Sequence, residues 1–192
     1  MKKLLILAVG LLIGWTVSAQ PGLNGTWYYE ETKSKSVEDA EGGGTVTMAV
    51  TYRFADDTFS MTMAARLKMD LKSKDANGAP TDAAFLIAFS GSVDGTLVRQ
   101  GSLLTLTPAK GKKPQVDVDF DAQGVPGGGL MKSMVTGPVK KQLNAELKEV
   151  RRYRILSLSE TELTLEEVLA EKEIKKGEKP EKMVFKHKSP MP

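Results

Sequence analysis

Few residue types in this chain can do covalent or metal chemistry. There is no cysteine and one histidine, His187, which excludes disulfides, a thiol nucleophile, a Cys-ligated metal and a His-rich metal site. His187 keeps the alternating phase of Met183 and Phe185, so it is expected to point inward from a strand as a packed, hydrogen-bonded side chain rather than a general base. No serine sits in a Gly-x-Ser-x-Gly elbow, and Ser90 and Ser92, the nearest approach, have no histidine near them in sequence. Lys132-Ser133 lacks a phosphate-binding loop, because Met131 and Pro126 stand where that loop needs glycine. Asp117, Asp119 and Asp121 share one strand face at about 7 Å spacing. An EF-hand would need a turn glycine at Ala122 and a bidentate glutamate at Gly128, so the face reads as solvated. No catalytic residue, metal site or cofactor is expected.

The side chains suited to binding are apolar and share one phase. Met48, Val50, Tyr52, Phe59, Met61, Met63, Met69, Phe85, Ile87 and Phe89 would give an interior lining of aromatic rings and flexible, polarisable thioethers that accepts varied apolar ligands. The alternative is that they fill that interior as a solid core.

The elements that position them are strands. Val46, Met48, Val50, Tyr52 and Phe54 alternate with Thr45, Thr47, Thr51 and Arg53. Phe59, Met61, Met63, Ala65, Leu67, Met69 and Leu71 alternate with Ser60, Thr62, Arg66, Lys68, Asp70 and Lys72. Period two marks half-buried strands, and the short link Ala55-Asp56-Asp57-Thr58 joins them as an antiparallel hairpin. At ~3.3 Å per residue they reach ~30 and ~43 Å, beyond ordinary strands, which suits a barrel or a deep sandwich. Further strands are expected at Thr26 to Glu30, around Phe85 to Phe89, at Leu103 to Thr107, around Val116 to Phe120, at Tyr153 to Leu158, around Leu163 and Leu165, and at Met183 to Phe185. Asn77-Gly78, Asp94-Gly95, Gly101-Ser102 and Ser159-Glu160 read as turns.

The alternation stops over the glycine-rich residues 122–137. Gly124 to Gly129, with Leu130, Met131 and Met134, suggests a lid over a barrel mouth. Gly137-Pro138 is expected to open a helix of about thirteen residues, with Val139, Leu143, Leu147 and Val150 on its apolar face. Lys140, Lys141, Lys148, Arg151, Arg152 and Arg154 form a basic cluster interrupted by Glu146 and Glu149, which reads as solvated surface.

Residues 1–19 have the order of an export signal: Lys2-Lys3, an apolar stretch too short to span a bilayer, and Val17-Ser18-Ala19. Cleavage after Ala19 leaves residues 20–192 as a single domain without a transmembrane segment, placed in a periplasm or outside the cell. The net charge of +3 falls by two on losing Lys2 and Lys3, which argues against nucleic acid as a partner.

Leu23-Asn24-Gly25-Thr26-Trp27, followed by a meander of hairpins and a late helix, resembles the lipocalin-like branch of the calycin barrels, in particular the small exported lipocalin-like domains of bacteria. The resemblance spans residues 22–188 and implies that Trp27 plugs the closed end of the barrel, as a structural residue. The expected fold is mainly β, an antiparallel up-and-down barrel of eight to ten strands with one late α-helix. The expected function is non-enzymatic: an exported barrel that binds a small hydrophobic molecule in its interior. The alternative is a cell-envelope interaction or structural module with a filled core. An outer-membrane barrel would need outward apolar faces and aromatic girdles, which the sparse aromatics and charged loops do not supply.

Overall fold

The computed structural model describes residues 22–37, 42–74, 80–123, 128–169 and 179–187. The export signal, the Asn77-Gly78 turn, residues 124–127 of the glycine-rich segment and much of the charged run after Leu169 lie outside the described residues.

Nine strands and one helix follow in order: β1 Gly25–Val37, β2 Gly42–Ala55, β3 Thr58–Lys74, β4 Pro80–Gln100, β5 Leu103–Pro108, β6 Gln115–Gln123, α1 Gly128–Glu146, β7 Arg151–Leu158, β8 Glu162–Glu167 and β9 Lys182–His187. Every strand pairing is antiparallel. β1, β2, β3, β4, β5, β7, β8 and β9 form a closed ring, completed where β9 meets β1 at Trp27↔His187 and Tyr28↔Lys186. The mainly-β, closed-barrel expectation therefore holds, with eight strand positions in the ring.

The ninth strand shares a position. β5 pairs with β4 from Gln100↔Leu103 to Gly95↔Pro108, and β6 resumes along the same edge from Ser92↔Gln115 to Ala84↔Gln123. Of these two strands β7 pairs with β5, and its other edge pairs with β8. The wall is consequently uneven: β7 starts at Arg151 and β8 ends at Glu167, whereas β3 and β4 continue well past them. α1 packs on β6 and runs back toward the ring, where Leu143 and Leu147 join the barrel core.

The long hairpin forms in the expected register, with Phe54↔Phe59 flanking the turn. Asp56 adopts φ 51°, a left-handed conformation that Asp tolerates, and Asn24 holds it by exchanging hydrogen bonds of 2.9 and 3.0 Å with its carboxylate and backbone N–H. The outward row of β3, from Thr62 through Ala64, Arg66 and Lys68 to Asp70, is exposed while Phe59, Met61 and Ala65 are buried. That is the reverse of a lipid-facing barrel.

Two local expectations are corrected. Asp94-Gly95 makes no turn, because β4 runs straight through it. Gly95 is there for space: a Cβ would strike the Thr107 carbonyl oxygen and the Phe59 ring. The helix begins about ten residues before Pro138 and carries that proline inside it. Met131, Val135, Val139, Leu143 and Leu147 are its less exposed positions, so packing of one continuous stripe on β6 outweighs the lost hydrogen bond at proline.

Candidate functional site

The barrel interior is filled from its narrow end upward. Trp27 is 1% exposed, donates its indole N–H to the Leu23 carbonyl at 2.8 Å and meets His187 at a ring-centroid distance of 4.8 Å. Gly25 leaves room for that imidazole, since a Cβ would collide with His187 Nε2. Around them Phe54, Phe59, Met61, Leu104, Leu106, Leu163, Leu165 and Phe185 pack as one continuous core. Tyr52 stacks on Phe54 at 5.3 Å and lies 5.6 Å from Phe185.

Space opens only above this layer. A cavity of about 570 Å³ occupies the mouth, walled by Met48, Val50, Met63 and Met183, with Tyr52, Tyr153 and Arg151 also lining it. Glu146, Glu149, Arg152, Glu167 and Glu181 stand around the rim, where Glu167 donates its backbone N–H to the Glu181 carbonyl and Val168 to that of Arg152, both at 2.9 Å. The volume falls within the roughly 300–1,000 Å³ of small-molecule sites, and apolar walls with a few converging polar groups are their usual makeup.

The polar groups come from two strands, β2 and β7. Tyr52 from β2 and Tyr153 from β7 bring their hydroxyls to 3.2 Å. Arg151, first residue of β7, has the phase of Tyr153 and reaches the Met61 sulfur with Nη1 at 3.1 Å. Its Nη2 approaches the Glu146 carbonyl at the C-terminus of α1, at 3.5 Å, where the helix dipole favours a cation. Burial works against the Arg151 charge, but the two phenols facing it more than offset this, so its pKa lies above the ordinary arginine value. Burial pushes the Tyr153 phenol well above its ordinary value, with Tyr52 adding to the shift and Arg151 opposing it. Among the described residues no carboxylate forms an ion pair with Arg151.

The structure thus divides the predicted lining. Met48, Val50, Tyr52 and Met63 come together at the cavity. Phe59 and Met61 lie in the solid core beneath it. Met69, Phe85 and Ile87 sit farther along β3 and β4, half-buried, where Phe85 packs near Phe120 at 6.3 Å. Phe89 packs against the core and also borders a groove of about 680 Å³ lined mainly by outward residues of β2, β3, β4 and β6. That groove is lined by small side chains such as Ala49, Ala64 and Ala88, and its Asp119 is paired with Lys132 at 3.0 Å. Leu130 and Met134, predicted in a lid, are 70% and 67% exposed on the first turns of α1, and Met131 is half-buried there.

Arg151 is the residue that sequence reasoning misplaced, by grouping it with the exposed basic cluster. The signal was present: Arg151, Tyr153 and Ile155 share one phase, so an arginine on the inward row of a barrel strand could have been singled out. Among the described residues, Asp117, Asp119 and Asp121 included, no group of three or more acidic or histidine side chains is placed so that it could hold a metal ion. No helix among them is long and apolar enough to cross a membrane. Compared with known proteins, the chain matches no protein-family model and no curated protein.

Proposed function

We propose that this protein is a non-enzymatic, exported, lipocalin-like barrel that binds a small, mostly apolar molecule at its mouth. The observation that carries the reading is the cavity itself: apolar walls from Met48, Val50, Met63 and Met183 above a filled core, with Tyr52, Tyr153 and Arg151 converging on it. The filled core confines the ligand to the mouth cavity. Export rests on the order of residues 1–19 in the sequence.

Native mass spectrometry of the full chain, purified without detergent, tests this reading by the added mass of a small organic molecule that vanishes on denaturation. Two substitutions then separate site from scaffold. Met63→Asp places a carboxylate at the cavity wall and should abolish ligand uptake while leaving a folded protein. Met61→Asp buries an unpaired charge at a position 1% exposed and should unfold the barrel, at a cost of several kcal/mol. Equal unfolding by both variants in urea titrations would show that the mouth is as solid as the core and sink the binding reading.

A further inference from the structure

Arg151 brings a guanidinium into an otherwise mostly apolar cavity wall. It sits on the inward row of β7 against Met61, Tyr52 and Tyr153, and no carboxylate among the described residues neutralises it. The Glu146 carbonyl at 3.5 Å is a weak acceptor at hydrogen-bonding limit, and a thioether sulfur is weaker still. The phenol oxygens of Tyr52 and Tyr153 accept from the same guanidinium, so its five N–H donors are spread over a sulfur, a carbonyl and two neutral hydroxyls and meet no anion among the described residues. The phenol pair adds to the arrangement, because two hydroxyls bonded to each other at 3.2 Å use one hydrogen between them and leave the second to donate elsewhere.

We propose that Arg151, Tyr52 and Tyr153 form a receptor for the carboxylate of an apolar monocarboxylic acid, whose hydrocarbon body lies against Met48, Val50, Met63 and Met183. The inference rests on the mouth cavity being a ligand site and specifies the class of ligand. A guanidinium offers parallel donors that match the two oxygens of a carboxylate, and a neutral phenol supplies a third donor from the side. The rim supports a single negative charge rather than a multiply charged anion. Glu146, Glu149, Glu167 and Glu181 are exposed, so solvent screens them, yet together they disfavour a dianion crossing the mouth. The ligand's one charge is favoured only once it reaches Arg151, and the apolar body gains from the thioether walls.

The test is calorimetric titration of the full chain with decanoate, decanol and decylamine, which share a chain and differ in head group. Decanoate should bind about tenfold tighter than decanol, the difference expected of a charge-assisted hydrogen-bonded pair, and decylamine no tighter than decanol. Arg151→Met, which keeps the apolar bulk, should bring decanoate down to the decanol affinity and leave decanol unchanged. Arg151 also approaches the end of α1, so Tyr153→Phe serves as a variant that preserves packing. It should weaken decanoate several-fold and leave decanol unaltered. Decanoate binding that is insensitive to both substitutions, with decanol still bound, overturns the receptor while leaving the mouth a ligand site. Decylamine binding tightest overturns it in favour of the acidic rim. No uptake of any of the three by the wild-type chain overturns the ligand site and the receptor together.

Discussion

Tyr153 shows how one side chain couples the core to the site. Its ring packs beneath the mouth at 5% exposure, and its hydroxyl meets Tyr52 and faces Arg151. Burial raises its pKa first, and the Tyr52 phenol raises it further. Tyr29 is pushed up to about 12, by burial and then by its hydrogen bond to Glu31. The folded chain therefore holds both phenols neutral more strongly than the unfolded chain, whose tyrosines titrate near 10. With the folded pKa above the unfolded one, this contribution to stability is complete below about pH 10 and is lost as pH climbs past it. Urea unfolding followed between neutral pH and pH 11 should show a steep loss of wild-type stability above about pH 10, and Tyr153→Phe should flatten that loss. Superimposable alkaline profiles would show that Tyr153 ionises without cost to the fold.

At the scale of elements, α1 decides what kind of barrel this is. Without pairing between β6 and β7 the ring would gape on that side. The helix instead packs on β6 and drives Leu147 against Gly91 and Met63, so closely that a Cβ on Gly91 would lie 2.7 Å from its Cδ1. Leu147 is 1% exposed and Leu143 6%, and both belong to the barrel core. Leu147→Ala should cost about 2–5 kcal/mol, as other buried leucines do when a cavity is left behind, and should also loosen ligand binding, because the adjacent Glu146 and Glu149 frame the rim. A loss under about 1 kcal/mol in denaturant titration would mean that α1 rests on the barrel without closing it. Pro138 inside this helix breaks a propensity rule, and the i, i+4 stripe from Met131 to Leu147 is what holds it.

The whole molecule depends on one late closure. β9 joins the first strand to the last, pairing Trp27 with His187 across almost the entire described chain, while Phe185 and Met183 of β9 are 0% and 7% exposed. Removing residues 179–192 would strip this strand, open the core and leave the edges of β1 and β8 unpaired. The truncated chain should lose its cooperative thermal transition and associate, as read by calorimetry and sedimentation velocity. A monomer that still melts cooperatively would show that the remaining strands hold a core without the ring. A ring closed by so distant a pairing also predicts slow folding, since the loop entropy is spent before the contacts form.

Period two in Val46 to Phe54 and Phe59 to Leu71 determined the long hairpin, its register and its buried face, because alternation is a steric property of any extended chain. The same local rule indicated the mainly-β class, and the 3.6-residue spacing of Val139, Leu143 and Leu147 indicated the late helix. It misread Asp94-Gly95, since a glycine cleared for the Phe59 ring looks the same in sequence as one required by a turn. It also could not rank depth. Met61 and Met63 carry the same phase, yet one is core and the other borders the cavity. What separates them is where β7 starts, how far β3 runs past it, and where Leu147 enters. Those are pairings between residues up to 90 positions apart, as Arg151 and Met61 are. Only the closed ring brings such residues together, and so only the tertiary structure decided that Arg151 turns from a surface charge into part of the lining of the mouth cavity.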